Sequence, residues 1–154
     1  MQTADREFHR KTAVECFNRT WDYLEKKDRT VHDDHLMLHL AHTSRYHWAF
    51  VGTPKNLAIG DWQVSRVYAA LKQPDLSLHF AKASLEIGEK NSLPEVVLTA
   101  NEAMARAYAT GKKYQLAKEF LDKAKSQLHA ASLEEEDRKI YGDQIRETEK
   151  MIPV

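Results

Sequence analysis

Residues Ser65-Arg66-Val67-Tyr68 and Ala105-Arg106-Ala107-Tyr108 stand 40 positions apart and carry similar chemistry in the same order. The match continues downstream, where Ser77 answers to Ala117, Ala81 to Leu121 and Ser84 to Ala124. Each block reads small residue, tyrosine three later, a turn, then small residues seven apart. Spacings of three, four and seven put side chains on one helical face. Small residues there let two antiparallel helices approach closely while the tyrosine fills the gap left beside them.

Outward from this repeat the rest of the chain is also helical in character. Ala occurs 18 times and Leu 15 times, against 5 Gly and 4 Pro, and the first two lose little freedom in a helix. No stretch alternates apolar and polar residues long enough for a strand. The breakers predict seven helices. The first covers about 3–27, with Val14, Phe17, Trp21 and Leu24 as its apolar stripe. Thr30 caps the second, with Asp33 in the first turn, and Gly52 ends it. Thr53-Pro54 starts the third, which runs to about 72, and Pro74-Asp75 opens the fourth. Asn91-Ser92-Leu93-Pro94 marks the next break, the fifth helix stops near Gly111, and the sixth covers about 113–129. Ser132 and Glu135 form a capping-box pattern for the seventh.

The second block, with Ala105, Tyr108, Gly111, Tyr114, Ala117 and Ala124, resembles a tetratricopeptide repeat. The first departs from that pattern at Lys72-Gln73-Pro74, where the glycine and aromatic are missing. The resemblance covers 58 to about 128. The offset of 40 exceeds the usual length of about 34, so a longer link between blocks is expected. The resemblance implies an all-α, short right-handed solenoid of antiparallel helix pairs in one domain. Its parts would be a divergent helix pair at 1–52, two repeats at 53–131 and a capping helix at 132–154. More loosely, the segment from His39 to Leu71 is similar to uncharacterised small bacterial helical proteins, which brings no chemistry with it.

Charge and composition exclude several functions. Lys plus Arg and Asp plus Glu number 23 each, so no basic footprint for nucleic acid exists. A mean hydropathy of -0.63 and the lack of a long apolar run argue against a membrane span. The opening Met-Gln-Thr-Ala-Asp-Arg-Glu lacks the apolar core of a signal peptide, and the expected location is cytoplasmic. A lone Cys16 excludes an intrachain disulfide and reads as a small buried hydrophobe. No phosphate loop, nucleophile elbow or metalloprotease signature is present, and no catalytic residue is assigned.

Two places carry candidate chemistry. In tetratricopeptide-like stacks the first helix of each pair lines the concave face. The resemblance therefore puts Trp62, Arg66, Glu102 and Arg106 in one groove, with each pair four residues apart on its own helix. Two guanidinium groups beside an indole suit a peptide or protein partner with an acidic side chain or a C-terminal carboxylate. The second place is a stripe of His32, His35, His39 and His42 on one helix face. His35, His39 and His42 are its candidate ligands for a divalent transition metal, completed by Glu15, Asp22 or His9 from the first helix. Self-association through the histidine face, giving a homo-oligomer, is a third expectation.

Overall fold

The computed structural model describes residues 1–154 and contains seven helices and no strand. They are α1 (Thr3–Leu24), α2 (Val31–Val51), α3 (Pro54–Ala70), α4 (Pro74–Lys90), α5 (Pro94–Thr110), α6 (Tyr114–Ala130) and α7 (Glu135–Glu149). Each helix packs on its neighbour in sequence. Beyond that, α1 meets α3, α3 meets α5 and α5 meets α7. The molecule is thus an all-α solenoid of two layers: α1, α3, α5 and α7 form one, and α2, α4 and α6 the other. The N-terminal pair continues the stack, and α7 adds a fourth helix to the first layer.

Local chemistry explains the helix starts. The Thr30 hydroxyl accepts from the Asp33 N–H at 3.1 Å, while the Asp33 carboxylate accepts from the Thr30 N–H at 3.0 Å. Thr53 and Asn56 make the same reciprocal box ahead of α3. Pro opens α3, α4 and α5, where a missing N–H costs nothing.

The middle of the stack is strictly periodic. α3 to α6 are each 17 residues long and are joined by the three-residue turns 71–73, 91–93 and 111–113. The expected longer link does not exist. The 40-residue offset comes from long helices joined by uniform turns. Each turn holds its central residue in the left-handed region: Lys72 at φ 58°, Ser92 at 52° and Lys112 at 61°. The following N–H reaches back five residues, Gln73 to Tyr68 O, Leu93 to Gly88 O and Lys113 to Tyr108 O. This is the Schellman closure, which satisfies carbonyls that the helix end leaves open. Gly111 precedes the left-handed residue and is itself at φ -84°. What it provides is space, since a Cβ there would lie 3.2 Å from Pro74 Cβ.

Small-residue packing follows the repeat. Ser65 and Ser77 are buried and donate to each other's carbonyl at 2.7 and 2.9 Å, and Ala105 and Ala117 occupy the matching places with no exposure. Tyr68 stacks on Phe80 at 5.7 Å, as Tyr108 packs on Phe120 at 5.5 Å.

Two expectations fail at the ends of the chain. In α1 the expected stripe faces inward at Phe17, Trp21 and Leu24, but Val14 is 42% exposed and the fully buried residues are Ala13 and Thr20. The cause is the tight approach of α2, whose Ser44 hydroxyl donates to Ala13 O at 2.7 Å and sets the helix's rotation. The Ser132–Glu135 capping box does not form, and α7 begins after Glu134 with no side-chain cap. Instead Ala131 is extended, and Arg138 donates to Leu128 O and Ala131 O at the end of α6. No helix is long and apolar enough to cross a membrane.

Candidate functional site

The first layer curves so that α1 and α7 face each other across α3 and α5, and both line the same recesses. Arg66 leaves α3 and Arg106 leaves α5 at matching repeat positions, and the two guanidinium groups converge. Arg66 Nη2 donates to Glu147 Oε2 of α7 at 2.7 Å, and Arg106 Nη2 reaches the same oxygen at 3.4 Å. Arg66 also lies over the rings of Trp21 and Trp62, at 5.2 and 5.8 Å from their centroids.

Burial divides the four groove residues by role. Glu102 is 1% exposed, and its Oε1 accepts from Arg106 Nε and Nη2 and from the Thr148 hydroxyl of α7. It fixes Arg106 and faces no open groove. Trp62 is 7% exposed and packs against Trp21 with centroids 5.7 Å apart. Arg66 is 12% exposed, while Glu147 is 55% exposed. Burial, and then the neighbouring Arg106, push the Arg66 guanidinium below its ordinary value, with Glu102 and Glu147 acting in the opposite direction. Trp62 Nε1, Arg66 Nη1 and Glu102 Oε2 are buried with no hydrogen-bond partner. Buried polar groups are normally satisfied, so three orphans on three adjoining side chains set this place apart.

The Trp21–Trp62–Arg66 stack separates two recesses. On the charged side, a cavity of about 420 Å³ is bounded by Arg66, Arg106 and Glu147, with Trp21, Leu24 and Met151. On the apolar side, a chamber of about 330 Å³ is walled by Phe17, Trp21, Ile59, Trp62, Val96 and Ile140. Its size falls at the lower end for small-ligand sites. Its rim is polar: Lys55 stands 4.0 Å from Glu95, which accepts from the Tyr141 hydroxyl at 3.1 Å. Burial and the adjacent Glu95 push the Tyr141 phenol up to about 12.

The tetratricopeptide resemblance put Trp62, Arg66, Glu102 and Arg106 in one groove; in the structure the four side chains lie next to one another, with Trp62 and Glu102 buried. Trp21, Glu147 and Thr148 were missed. Trp21 was read only as part of an apolar stripe, and the acid and hydroxyl of α7 lie 81 and 46 residues from their partners. No local pattern signals such distant pairings.

The histidine stripe does not converge. His32, His35 and His39 are exposed, whereas His42 turns inward, with Nε2 2.9 Å from the Tyr68 hydroxyl and its ring edge-on to Tyr68 and Phe80. Burial pushes the His42 imidazole below its ordinary value, opposed by Asp61. No group of three or more His, Cys, Asp or Glu side chains gathers into a metal site. Cys16 is half-buried, and burial raises its thiol.

Fold and site define an all-α helical solenoid in which Arg66 and Arg106 meet one carboxylate of α7. No protein-family model, curated protein or solved structure matches the chain.

Proposed function

We propose that the chain is a tetratricopeptide-like binding module whose concave face captures a peptide or protein segment by a carboxylate and a neighbouring apolar side chain. The observation that carries this reading is the meeting of Arg66 and Arg106, one from each repeat, on a single carboxylate oxygen. Two guanidinium groups sharing one acceptor form a seat for an acid. That seat shares Trp21 with the apolar chamber, so a ligand could place its carboxylate and a hydrophobic side chain on opposite sides of one aromatic partition. Glu147 occupies the acid seat in the free chain. Being half exposed, it can be exchanged for an incoming carboxylate at modest cost. Fold alone does not give function to such repeats, and the weight here rests on the site.

The test compares a short peptide ending in Phe with its C-terminally amidated twin, and with a third peptide carrying an internal Glu in place of the terminal acid. Titration is followed by the emission of the groove tryptophans. Binding of either acid-bearing peptide, at least about tenfold tighter than the twin lacking that acid, supports the seat. The choice between the two acids identifies a chain terminus or a side chain as the ligand group. Equal binding of all three, or none by any, overturns the proposal. Arg66→Gln, with helicity checked by circular dichroism, is expected to remove the preference for the acid.

A further inference from the structure

We propose that the apolar chamber also binds a free α-amino acid with a large apolar side chain, whose two charges are held at the mouth by Lys55 and Glu95. This ligand goes beyond the peptide reading, because it uses the chamber and its rim and not the two arginines. Four helices frame the space: Phe17 and Trp21 belong to α1, Ile59 and Trp62 to α3, Val96 to α5 and Ile140 to α7. Along α3, Lys55, Ile59 and Trp62 share one face and pass from exposed through half-buried to buried, so the polar end is the mouth. Lys55 and Glu95 are repeat equivalents, each following the proline that opens its helix. A cation in one repeat thus stands 4.0 Å from an anion in the other.

Charge chooses the ligand. At this mouth a lone carboxylate meets Glu95 and a lone amine meets Lys55, each with repulsion, whereas a ligand carrying both charges pairs each with its opposite. With its ammonium beside Glu95 and its carboxylate beside Lys55, four charges alternate around a ring, and the 4.0 Å separation need not change. The Tyr141 hydroxyl donates to Oε2 of Glu95 at 3.1 Å and steadies the carboxylate, while Oε1 accepts from the ligand's ammonium. That phenol, pushed up to about 12 by burial and Glu95, remains a donor at neutral pH. Lys55 and Glu95 are half exposed and loosely paired, so turning them toward a ligand costs little. The walls choose a neutral side chain. Arg66 already lies over the Trp21 and Trp62 rings, which disfavours a second cation there, and an apolar or aromatic group gains by burial against them. An amino acid so placed fills the space that a captured peptide's apolar side chain would enter, and the two ligands exclude each other.

The test is calorimetric titration of the full chain with phenylalanine, phenylalanine amide, N-acetyl-phenylalanine and alanine, with methyl NMR to locate the ligand. Phenylalanine should saturate the chain with a Kd on the order of 1 mM or tighter. It should bind about fivefold or more tighter than either blocked form, and alanine should not saturate. Shifts are expected at the Ile59, Val96 and Ile140 methyls. Glu95→Gln, which keeps an acceptor for Tyr141, should erase the advantage over the N-acetyl form, and Lys55→Met the advantage over the amide. No saturation by phenylalanine, equal binding of the blocked forms, or shifts confined to Leu24 and Met151 of the charged cavity would overturn the assignment. The wild-type comparison of the four ligands decides the matter even where a variant folds poorly. Phenylalanine bound as described with no acid preference among the peptides would refute the arginine seat alone, and the reverse would refute the amino-acid site alone.

Discussion

Removing the Glu147 carboxylate isolates what the arginine seat contributes. Glu147→Ala leaves Arg66, only 12% exposed, without its 2.7 Å acceptor, while Arg106 keeps Glu102. A hydrogen bond to a charged group contributes about 1.5–3 kcal/mol. Glu147 itself is 55% exposed, and solvent screening draws the expected loss down to about 1–2 kcal/mol. For a domain of this length each kcal/mol moves the melting temperature by about 2–4 °C, so a fall of about 2–8 °C is expected. The recess left behind is open to small ions, and acetate should fill it. At ten times its dissociation constant a ligand adds about 1.4 kcal/mol, which would restore most of the loss. The assay is urea and thermal unfolding of wild type and variant in sodium acetate against sodium chloride at equal ionic strength. Acetate stabilises proteins weakly in general, so the informative quantity is the extra gain of the variant over wild type. A variant that unfolds like wild type, or one that gains no more from acetate than wild type does, would show that the arginines do not form a carboxylate seat.

Other expectations follow from single contacts. Gly88→Val should destabilise by about 1–3 kcal/mol in urea unfolding, because even a Cβ at Gly88 would lie 2.7 Å from Cγ1 of the buried Val96. His42 is held below its ordinary value of 6.5 by burial, so the unfolded chain takes up its proton first as pH falls. The contribution is complete above that pH and is lost as pH falls from 6.5 through the lower folded value. A wild-type minus His42→Gln stability difference that does not shrink in that direction would refute the burial argument. Of the six tyrosines, one should ionise near pH 12 by phenolate absorbance. Tyr141→Phe should remove that late step. Replacing Ser65 and Ser77 together by Ala should cost less than the two single changes added, because the pair then copies the all-alanine contact of Ala105 and Ala117.

Much of the fold was legible because it is written in short-range terms. The Thr30–Asp33 and Thr53–Asn56 boxes and the three opening prolines lie within four residues of the helix starts they specify. The self-match of Tyr68 with Tyr108 exposed the helix pairs because duplicated contacts leave duplicated residues. The turns were harder to read. Lys72, Ser92 and Lys112 take a left-handed backbone that sequence pattern assigns to glycine, and the glycine at 111 serves packing instead. Here the helix ends and the close packing of the next helix override residue preference. The α1 stripe held at Phe17, Trp21 and Leu24 and failed only at Val14, for a related reason. Which face of a helix is buried depends on the rotation imposed by its neighbour, and the Ser44–Ala13 contact that sets it spans 31 residues.

The candidate site divides along the same physical line. Repeat spacing is enough to aim Arg66 and Arg106 at one point, since equivalent residues of stacked repeats face the same side. What stands at that point depends on α7, which packs on α5 and α6 and reaches α3 through the Glu147 side chain. Glu147 and Thr148 then meet Arg66, Arg106 and Glu102 with no signal in the local sequence. Packing by Trp21 of α1 and by Ala103 and Met104 of α5 turns Trp62 from an exposed anchor into one wall of a partition, with its Nε1 buried without a partner. The histidines show the reverse case. The helical stripe His32–His42 is regular in sequence but diverges in space, because a single helix face presents its side chains outward along an arc. The pair that does converge, His9 with His47, joins two helices across 38 residues. In both places, convergence of side chains from different helices is the property that local periodicity leaves undetermined. It is also the property on which binding depends.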